Sequence, residues 1–375
     1  FGIGVRVIAY RGEEQVVQEN YPNRGYLSSV PSQVHMGLGN MATLDSLKVV
    51  WPGGKSEVLK SIQSNSTIKV SFKNAISPTE IKTQLYKSFL EANDSLIKFV
   101  HKEQASLDFN REPLIPYADS NNGPSMAIGD VNNDGKQDVF LGGAKGQQNA
   151  LFIQQENGAF EADTTFLDQN SINETTASIF FDANGDGQED LLIAYGGNEF
   201  KSGKPLQPTL YLNQQGTLIE QVDVFLGVET NASDIAVGDI DSDGDLDIFL
   251  VSDRIPASFG KTPRQFLLVN DGSGKFENQT QKLLPQPQYL GNIKDVEIVD
   301  INKDGLPDIV AVGHWMPISV FINQGDGFLL QENNGLDTTQ GWWNSLTLAD
   351  FDKDGDLDFI CGNWGLNSKF KASKN

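Results

Sequence analysis

Five nine-residue segments place oxygen-bearing side chains where they could surround one cation. Each has the pattern D-x-[DN]-x-D-G-x-x-D, and they begin at Asp130, Asp182, Asp239, Asp300 and Asp350. Two carboxylates about 5 Å apart repel each other by roughly 3 kcal/mol at an effective dielectric constant of about 20. A bound cation would relieve this repulsion, and so would a turn that is open to water.

The ligand types in this pattern favour Ca²⁺. Aspartate or asparagine stands at positions 1, 3, 5 and 9, glycine at position 6 allows a sharp turn, and position 7 can add a backbone carbonyl. Hard oxygen ligands in a flexible loop suit Ca²⁺ better than zinc or copper. Five solvated acidic turns are the alternative, but the aspartate at position 9 in all five segments favours about five calcium sites. The predicted ligands are Asp130, Asn132, Asp134, Asp138, Asp182, Asn184, Asp186, Asp190, Asp239, Asp241, Asp243, Asp247, Asp300, Asn302, Asp304, Asp308, Asp350, Asp352, Asp354 and Asp358.

The segments are the centres of a repeat. They follow one another at intervals of roughly 50 to 60 residues, and each lies between two short apolar runs rich in β-branched or aromatic residues. An EF-hand would carry glutamate at position 12, whereas here that position is apolar or cysteine within the second run. The first four units add an apolar stretch interrupted by Asn or Gln and Gly, which indicates a hairpin. Four antiparallel strands per unit predict β-propeller blades.

We therefore expect a mainly β protein with three parts. Residues 1–72 form a small β module whose last strand covers 66–72. Residues 73–122 form a connector with one helix at about 78–92, begun by a capping box at 77–80, and a strand near 97–101. Residues 123–375 form a partial β-propeller of four complete blades and one truncated blade. Because open sheet edges are a liability, we expect the missing blades beyond residue 375.

The repeat resembles a known family. Residues 123–369, with the five loops quoted above, are similar to FG-GAP/VCBS repeats of integrin-α-like calcium-binding propellers. The resemblance implies a secreted or cell-surface protein, and binding or adhesion more often than catalysis. An extracellular protein or carbohydrate is then the expected partner.

The first module resembles the ASPIC/UnbV domain. The matching motifs are G-x-G-x-R-V, GYLS, H-x-G-L-G and W-P-x-G-K, at Gly2, Gly4, Arg6 and Val7; Gly25–Ser28; His35, Gly37, Leu38 and Gly39; and Trp51–Lys55. Met36 stands where phenylalanine is expected. This combination of domains implies a piece of a longer exported bacterial protein, associated with the outer membrane and with its signal peptide outside this sequence.

Composition excludes some classes of partner. The formal net charge of −22 argues against nucleic acid and anionic membranes. No apolar run approaches the roughly 18 to 20 residues that span a membrane. A single cysteine excludes an internal disulfide framework.

Aromatic residues late in the sequence form the second candidate site. Tryptophans combine a large apolar area with a polar tip, which suits stacking on sugars or on a protein partner. Packing between blades is the alternative. The candidate ligand surface consists of His314, Trp315, Trp342, Trp343 and Trp364. The predicted function is a calcium-stabilised binding or adhesion scaffold, and the alternative function is a polysaccharide lyase or glycosidase.

Overall fold

A computed structural model describes residues 2–77, 96–104, 108–166, 172–284, 290–332 and 334–365. The chain divides into two compact units, residues 1–92 and 93–375. The helix expected at about 78–92 lies outside the described residues.

The first unit is built on one antiparallel sheet. Its strands, with a short hairpin of β3 and β4, are β1 (Arg6–Arg11), β2 (Glu14–Glu19), β3 (Asn23–Gly25), β4 (Ser28–Ser29), β5 (Thr43–Val50) and β6 (Ser56–Gln63). The sheet order is β2-β1-β5-β6. Val7 and Ala9 on β1 and Leu47 and Val49 on β5 are buried, as expected for a strand with one buried face.

Two strands predicted from the sequence are wrong. Residues 66–71 are irregular and lead into a 3-10 helix at Phe72–Asn74; Ile68 and Val70 are exposed, so no apolar face packs there. Residues 97–101 are also not a strand. The side chain of Gln147 binds this segment instead: its amide donates to the Val100 carbonyl at 2.9 Å and its oxygen accepts from Lys102 N at 2.8 Å.

The second unit contains four four-stranded antiparallel sheets and one two-stranded sheet within the described residues. The first two sheets are β7 (Met126–Gly129), β8 (Asp138–Leu141), β9 (Ala150–Gln154) and β10 (Phe160–Ala162), then β11 (Glu174–Phe181), β12 (Asp190–Gly196), β13 (Thr209–Gln214) and β14 (Thr217–Gln221). The next two are β15 (Ala232–Gly238), β16 (Asp247–Ser252), β17 (Phe266–Asn270) and β18 (Phe276–Asn278), then β19 (Asn292–Val299), β20 (Asp308–His314), β21 (Ser319–Asn323) and β22 (Phe328–Leu330). The two-stranded sheet pairs β23 (Trp343–Ala349) with β24 (Asp358–Asn363). Two short helices are α1 (Asp108–Arg111) and α2 (Thr280–Leu283).

The sheets are arranged like blades. The first strands of successive sheets, β7, β11, β15, β19 and β23, lie side by side. Side chains link these strands across sheets: Thr176 Oγ1 donates to Ala232 O at 2.8 Å and Ser233 Oγ donates to Ile293 O at 2.7 Å. The second strands β12, β16 and β20 are buried along their whole length, because each sheet packs between two neighbours. The predicted mainly β fold of propeller type is confirmed.

This arrangement gives the second unit two distinct ends. The nine-residue segments connect first and second strands at one end, which we call the metal-loop end. At the other end, the connections from second to third strands meet the chain segment that precedes β7. Glu112 of that segment accepts hydrogen bonds from Asn198 Nδ2 at 3.0 Å and from Phe259 N at 2.8 Å.

Candidate calcium sites and an aromatic end

The five nine-residue segments form the same turn. We number them loop 1 (130–138), loop 2 (182–190), loop 3 (239–247), loop 4 (300–308) and loop 5 (350–358). In loop 3 the carboxylate of Asp239 accepts hydrogen bonds from Asp243 N at 3.0 Å and Gly244 N at 3.1 Å. The other four first-position aspartates accept the same pair of bonds, at 2.7–3.2 Å. The side chain at position 1 therefore closes each turn.

Backbone conformation explains the glycine at position 6. Gly244 has φ +98°, and the other four glycines at this position have φ between +80° and +92°. Glycine adopts this left-handed region without a steric penalty. Position 4 is also left-handed in all five loops, with φ between +56° and +71°. The sequence did not predict position 4, because it holds Asn, Gly, Ser or Lys.

The aspartate at position 9 is buried and acts as a bridge. Asp247 is fully buried; one of its oxygens accepts from Ile240 N at position 2 and the other from Asn270 N on β17, both at 2.8 Å. Asp138, Asp190 and Asp308 are also fully buried and make both bonds, at 2.7–3.1 Å. Asp358 of loop 5 accepts from Phe351 N at 3.0 Å. This residue thus joins each of the first four loops to the third strand of its own sheet.

Burial perturbs the charges of these carboxylates. It raises the pKa of Asp190 and of Asp247 to about 6, because burial penalises the charged form. Burial also raises the pKa of Asp138 and of Asp308. The pKa of Asp241 is raised by burial and then by the neighbouring charge of Asp243. A nearby cation would favour the charged form of all these groups.

The ligand set fits a hard divalent cation. Carboxylate oxygens of Asp239, Asp241 and Asp247 lie within 4.8 Å of one another, and the same holds for their counterparts Asp350, Asp352 and Asp358 in loop 5. In loops 1, 2 and 4 position 3 is asparagine, whose amide oxygen points toward the same turn and accepts from the backbone N–H of position 5 at 2.8–3.1 Å. Oxygen-only donors of this kind suit Ca²⁺.

The opposite end carries a cluster of aromatic rings, which we call the aromatic end. Trp342 lies at its centre, with ring centroids 4.5 Å from His314, 4.8 Å from Trp315 and 5.8 Å from Trp364. Two rings that were not predicted complete the cluster: Tyr117 lies 5.6 Å from Trp364 and Phe259 lies 5.3 Å from Trp315. Tyr117 and Phe259 come from the segment before β7 and from a connection in the third sheet, and no sequence motif marks them.

The predicted aromatic residues occupy different positions. His314 and Trp342 are each only 2% exposed, so they lie beneath the surface. Trp315 and Trp364 are partly exposed. Trp343 lies elsewhere: its indole N–H donates to Thr339 O at 2.9 Å and its ring packs on the core around Leu346. Trp315 also has φ +59°, an unusual and strained conformation for a bulky residue.

A buried ionic network supports the aromatic end. Arg254 contacts Asp119 and Asp253, each at 3.1 Å, and donates to the Tyr117 hydroxyl at 2.7 Å. Burial opposes the charge of Asp253, but the cations Lys294 and Arg254 hold its pKa well below its usual range. Burial lowers the pKa of His314 to about 4, so this imidazole is neutral at pH 7 although Asp253 lies 3.6 Å away. This buried network thus contacts two rings of the aromatic end, Tyr117 and His314.

Comparison with known families identifies both units. The ASPIC and UnbV model matches residues 1–77. The FG-GAP-like repeat model matches residues 130–193, 182–250 and 300–361. The second unit is therefore a β-propeller-like scaffold of FG-GAP-like repeats. The chain belongs to the proteins that combine an ASPIC and UnbV domain with such repeats.

Individual relatives match part of the chain. The chain is 31% identical to mouse integrin alpha-8 over 172 residues, which cover 42% of this chain and 15% of the integrin. It is 22% identical to cartilage acidic protein 1 of Xenopus tropicalis over 259 residues, covering 64% of this chain and 40% of the relative. The chain thus spans less than half the length of these relatives.

A solved lectin structure matches part of this chain. An Agrocybe aegerita lectin, described as recognising non-reducing terminal N-acetylglucosamine, matches with a TM-score of 0.45 and 18% identity over 64% of this chain and 60% of the lectin.

Within the described part of the chain, no helix has the length and apolar character to cross a membrane.

Proposed function

We propose that this protein is a calcium-stabilised binding or adhesion scaffold that acts outside the cell, secreted or on the cell surface. The observation that carries the proposal is the fivefold recurrence of one closed turn, in which the carboxylate oxygens of positions 1, 3 and 9 converge in loops 3 and 5. The residues that would hold Ca²⁺ are the side chains at positions 1, 3, 5 and 9, with the backbone carbonyl of position 7. Bound calcium would supply the positive charge that lets these carboxylates stay ionised together.

Burial at position 9 favours calcium sites over solvated acidic turns. Asp247 is buried and its carboxylate lies within 4.8 Å of those of Asp239 and Asp241, so a charge that solvent cannot reach stands beside two like charges. Exposed carboxylates would be screened by solvent without such a cost. The similarity to integrin alpha-8 supports the same conclusion.

We further propose that the ligand binds at the aromatic end. Four partly exposed rings (Tyr117, Phe259, Trp315 and Trp364) lie around the buried Trp342. Rigid aromatic side chains on a packed base provide contact area at little entropic cost. The strained backbone of Trp315 is supported by its N–H, which donates to Gly341 O at 2.9 Å. The expected ligand is an extracellular protein or a carbohydrate.

Binding is favoured over the alternative of a polysaccharide lyase or glycosidase. Such an enzyme needs an acid and a base that can reach the substrate. The histidine and carboxylate that meet at the aromatic end, His314 and Asp253, are each 2% exposed. The neutral, low-pKa imidazole is a poor proton donor at pH 7.

Metal analysis tests the calcium part of the proposal. The whole chain, dialysed against millimolar Ca²⁺, is expected to retain about five calcium ions. Asp243→Ala removes the carboxylate at position 5 of loop 3 and should lose one of them. Asp326→Ala, an exposed acid on a hairpin outside the five loops, is the matched control and should lose none. A wild-type chain without bound calcium at millimolar concentrations would contradict the proposal.

Glycan arrays and protein-binding screens test the ligand surface. Any ligand that they identify is then tested for turnover. Trp364→Ala is expected to weaken binding at least tenfold, as for an exposed aromatic anchor. The control is Tyr26→Ala, a fully exposed aromatic residue of the first unit. Equal loss in both variants would contradict the assigned surface, and sustained product release would support the enzyme instead.

A further inference from the structure

Three of the third strands end in a buried asparagine that the calcium pattern does not include. These residues are Asn213 on β13, Asn270 on β17 and Asn323 on β21, and each is at most 5% exposed. A buried amide needs hydrogen-bond partners for its oxygen and both of its protons. The amide oxygen of each asparagine accepts from the N–H of a glycine in its own hairpin. Both amide protons go to the nine-residue loops.

Asn270 contacts two loops at once. Its backbone N–H donates to the position 9 aspartate of loop 3, Asp247, at 2.8 Å. Its side-chain amide donates to the position 8 carbonyl of the same loop, Leu246 O, at 3.1 Å. The second amide proton goes to the preceding loop, where it binds the position 2 carbonyl, Ala183 O, at 2.9 Å.

The same double contact occurs at the neighbouring sheets. Asn213 donates to Asp190 at 2.7 Å, to Glu189 O at 3.0 Å and to Val131 O of loop 1 at 2.7 Å. Asn323 donates to Asp308 at 2.8 Å, to Pro307 O at 3.1 Å and to Ile240 O of loop 3 at 2.8 Å. Three blade junctions are thus bridged in one way, which makes the arrangement a repeated feature of the fold.

These contacts join loops 1 to 4 into one series. In loops 1, 2 and 3 the carbonyl of the position 2 residue accepts a hydrogen bond from an asparagine amide. In all four loops the N–H of the position 2 residue donates to the position 9 aspartate of its own loop. We call the series the asparagine ladder. It runs through Asp138, Val131, Asn213, Asp190, Ala183, Asn270, Asp247, Ile240, Asn323 and Asp308.

We propose that the asparagine ladder couples calcium binding at loops 1 to 4, so that an ion in one loop raises the affinity of its neighbours. The inference rests on the calcium function proposed above. An ion at loop 3 would fix Asp247, which holds Ile240 and Asn270. Asn270 in turn fixes the backbone of Ala183, beside which Asp190 must be oriented to bind the next ion. A ligand that orders one element lowers the ordering cost of the second binding event.

The contacts between neighbouring loops differ along the series, so the strength of coupling can be compared between pairs of loops. Loops 1 and 2 have a second connection, because the Glu189 carboxylate accepts from Asp130 N at 2.5 Å. Among the described residues, loops 4 and 5 are joined by the exposed Lys303, whose ammonium donates to Gly355 O at 2.7 Å and contacts Asp356. Exposed ion pairs contribute little, so coupling to loop 5 should be the weakest.

Hydrogen exchange of the loop peptides, followed by mass spectrometry during calcium titration of the whole chain, tests the ladder. Asp243→Ala removes the ion of loop 3. The calcium concentration that half-protects the loop 2 peptide, 182–190, should then rise about fivefold or more. The loop 5 peptide, 350–358, should change less than twofold.

A second pair of variants distinguishes coupling through Asn270 from a direct structural effect of Asp243→Ala on loop 2. Asn270→Leu keeps the approximate volume of the side chain but removes the bond between loops 2 and 3. In the Asn270→Leu background, Asp243→Ala should no longer raise the calcium concentration that half-protects the loop 2 peptide, which we call the loop 2 midpoint. Ser273→Ala, on the same hairpin but bonded to Asp271, is the control and should preserve the shift. If Asn270→Leu does not fold, Asn323→Leu makes the same test between loops 3 and 4.

The outcomes distinguish the two proposals. No calcium-dependent protection at any loop of the wild-type chain would contradict the calcium function itself. Protection at every loop with midpoints that do not respond to Asp243→Ala would leave calcium binding intact and overturn the asparagine ladder. A shift that persists undiminished in the Asn270→Leu background would also overturn it.

Discussion

The two ends of the propeller unit are built in opposite ways. At the metal-loop end, ligands within nine consecutive residues close each turn, and the asparagine ladder adds the connections between turns. At the aromatic end, Tyr117, Phe259, Trp315, Trp342 and Trp364 come from distant parts of the chain and pack on a buried ionic network. On the calcium function proposed above, one end would depend on a ligand for its stability, whereas the other is stabilised by its own packing.

The largest effect is expected at the aromatic end. Trp342→Ala deletes a side chain that is 2% exposed and leaves a cavity beside four other rings. Such truncations typically cost about 3–5 kcal/mol of unfolding free energy. The loss should be the same with calcium and with chelator, as measured by urea unfolding. A loss that appears only with chelator would show that the two ends are not independent.

The aromatic end should also be sensitive to acid. Burial lowers the pKa of His314 from an ordinary value of about 6.5 to about 4. The neutral imidazole therefore contributes stability that is fully present above pH 6.5 and is lost as the pH falls to about 4. The shift corresponds to about 3 kcal/mol at most.

The difference in unfolding free energy between the wild type and His314→Gln isolates this histidine from the many carboxylates. Calorimetry between pH 4 and 7.5, with calcium in excess, should show the wild type losing more stability than the variant on acidification. A parallel decline of both proteins would rule out the titration of His314.

At the metal-loop end the position 9 aspartate should matter even without calcium. Asp247→Ala removes two hydrogen bonds to buried backbone N–H groups and is expected to cost about 2 kcal/mol in chelator. Asp243→Ala, whose exposed side chain holds one local bond, should cost less than about 0.5 kcal/mol there. Chemical denaturation of the two variants in chelator gives the comparison, and equal costs would contradict the bridging role of position 9.

The smallest effect on stability is expected at the surface of the aromatic end. Trp364 is partly exposed, so Trp364→Ala should cost about 1 kcal/mol or less while reducing ligand binding. A loss comparable to that of Trp342→Ala would identify Trp364 as a core residue and remove it from the ligand surface.

Sequence reasoning succeeded where the contacts are local. The pattern D-x-[DN]-x-D-G-x-x-D located all five loops, and the glycine at position 6 follows from a backbone requirement. The three ladder asparagines were missed, although a signal exists: each of the three third runs carries Asn followed by Gly within three residues, as in NQQG, NDG and NQG. Their partners lie in the preceding loop, and a motif search within one loop does not reach them.

Prediction failed where pairing or packing involves distant residues. The sequence predicted strands over 66–72 and 97–101, but a strand also needs a partner strand, and neither segment pairs with one among the described residues. The burial of His314 and Trp342 depends on Tyr117 and Phe259, which are far away in the sequence. No periodicity within one segment contains that information.

Calorimetry of the whole chain in excess calcium and in excess chelator tests the central claim most directly. At free calcium of about 100 times Kd, one site stabilises the folded state by about 2.7 kcal/mol. Several sites together approach the roughly 5–15 kcal/mol stability of a typical domain. We expect chelation to lower the melting temperature of the propeller unit by roughly 10 °C or more, while the first unit, which carries none of the five loops, melts as before. An unchanged propeller transition in chelator would contradict the account and leave the five loops as solvated acidic turns.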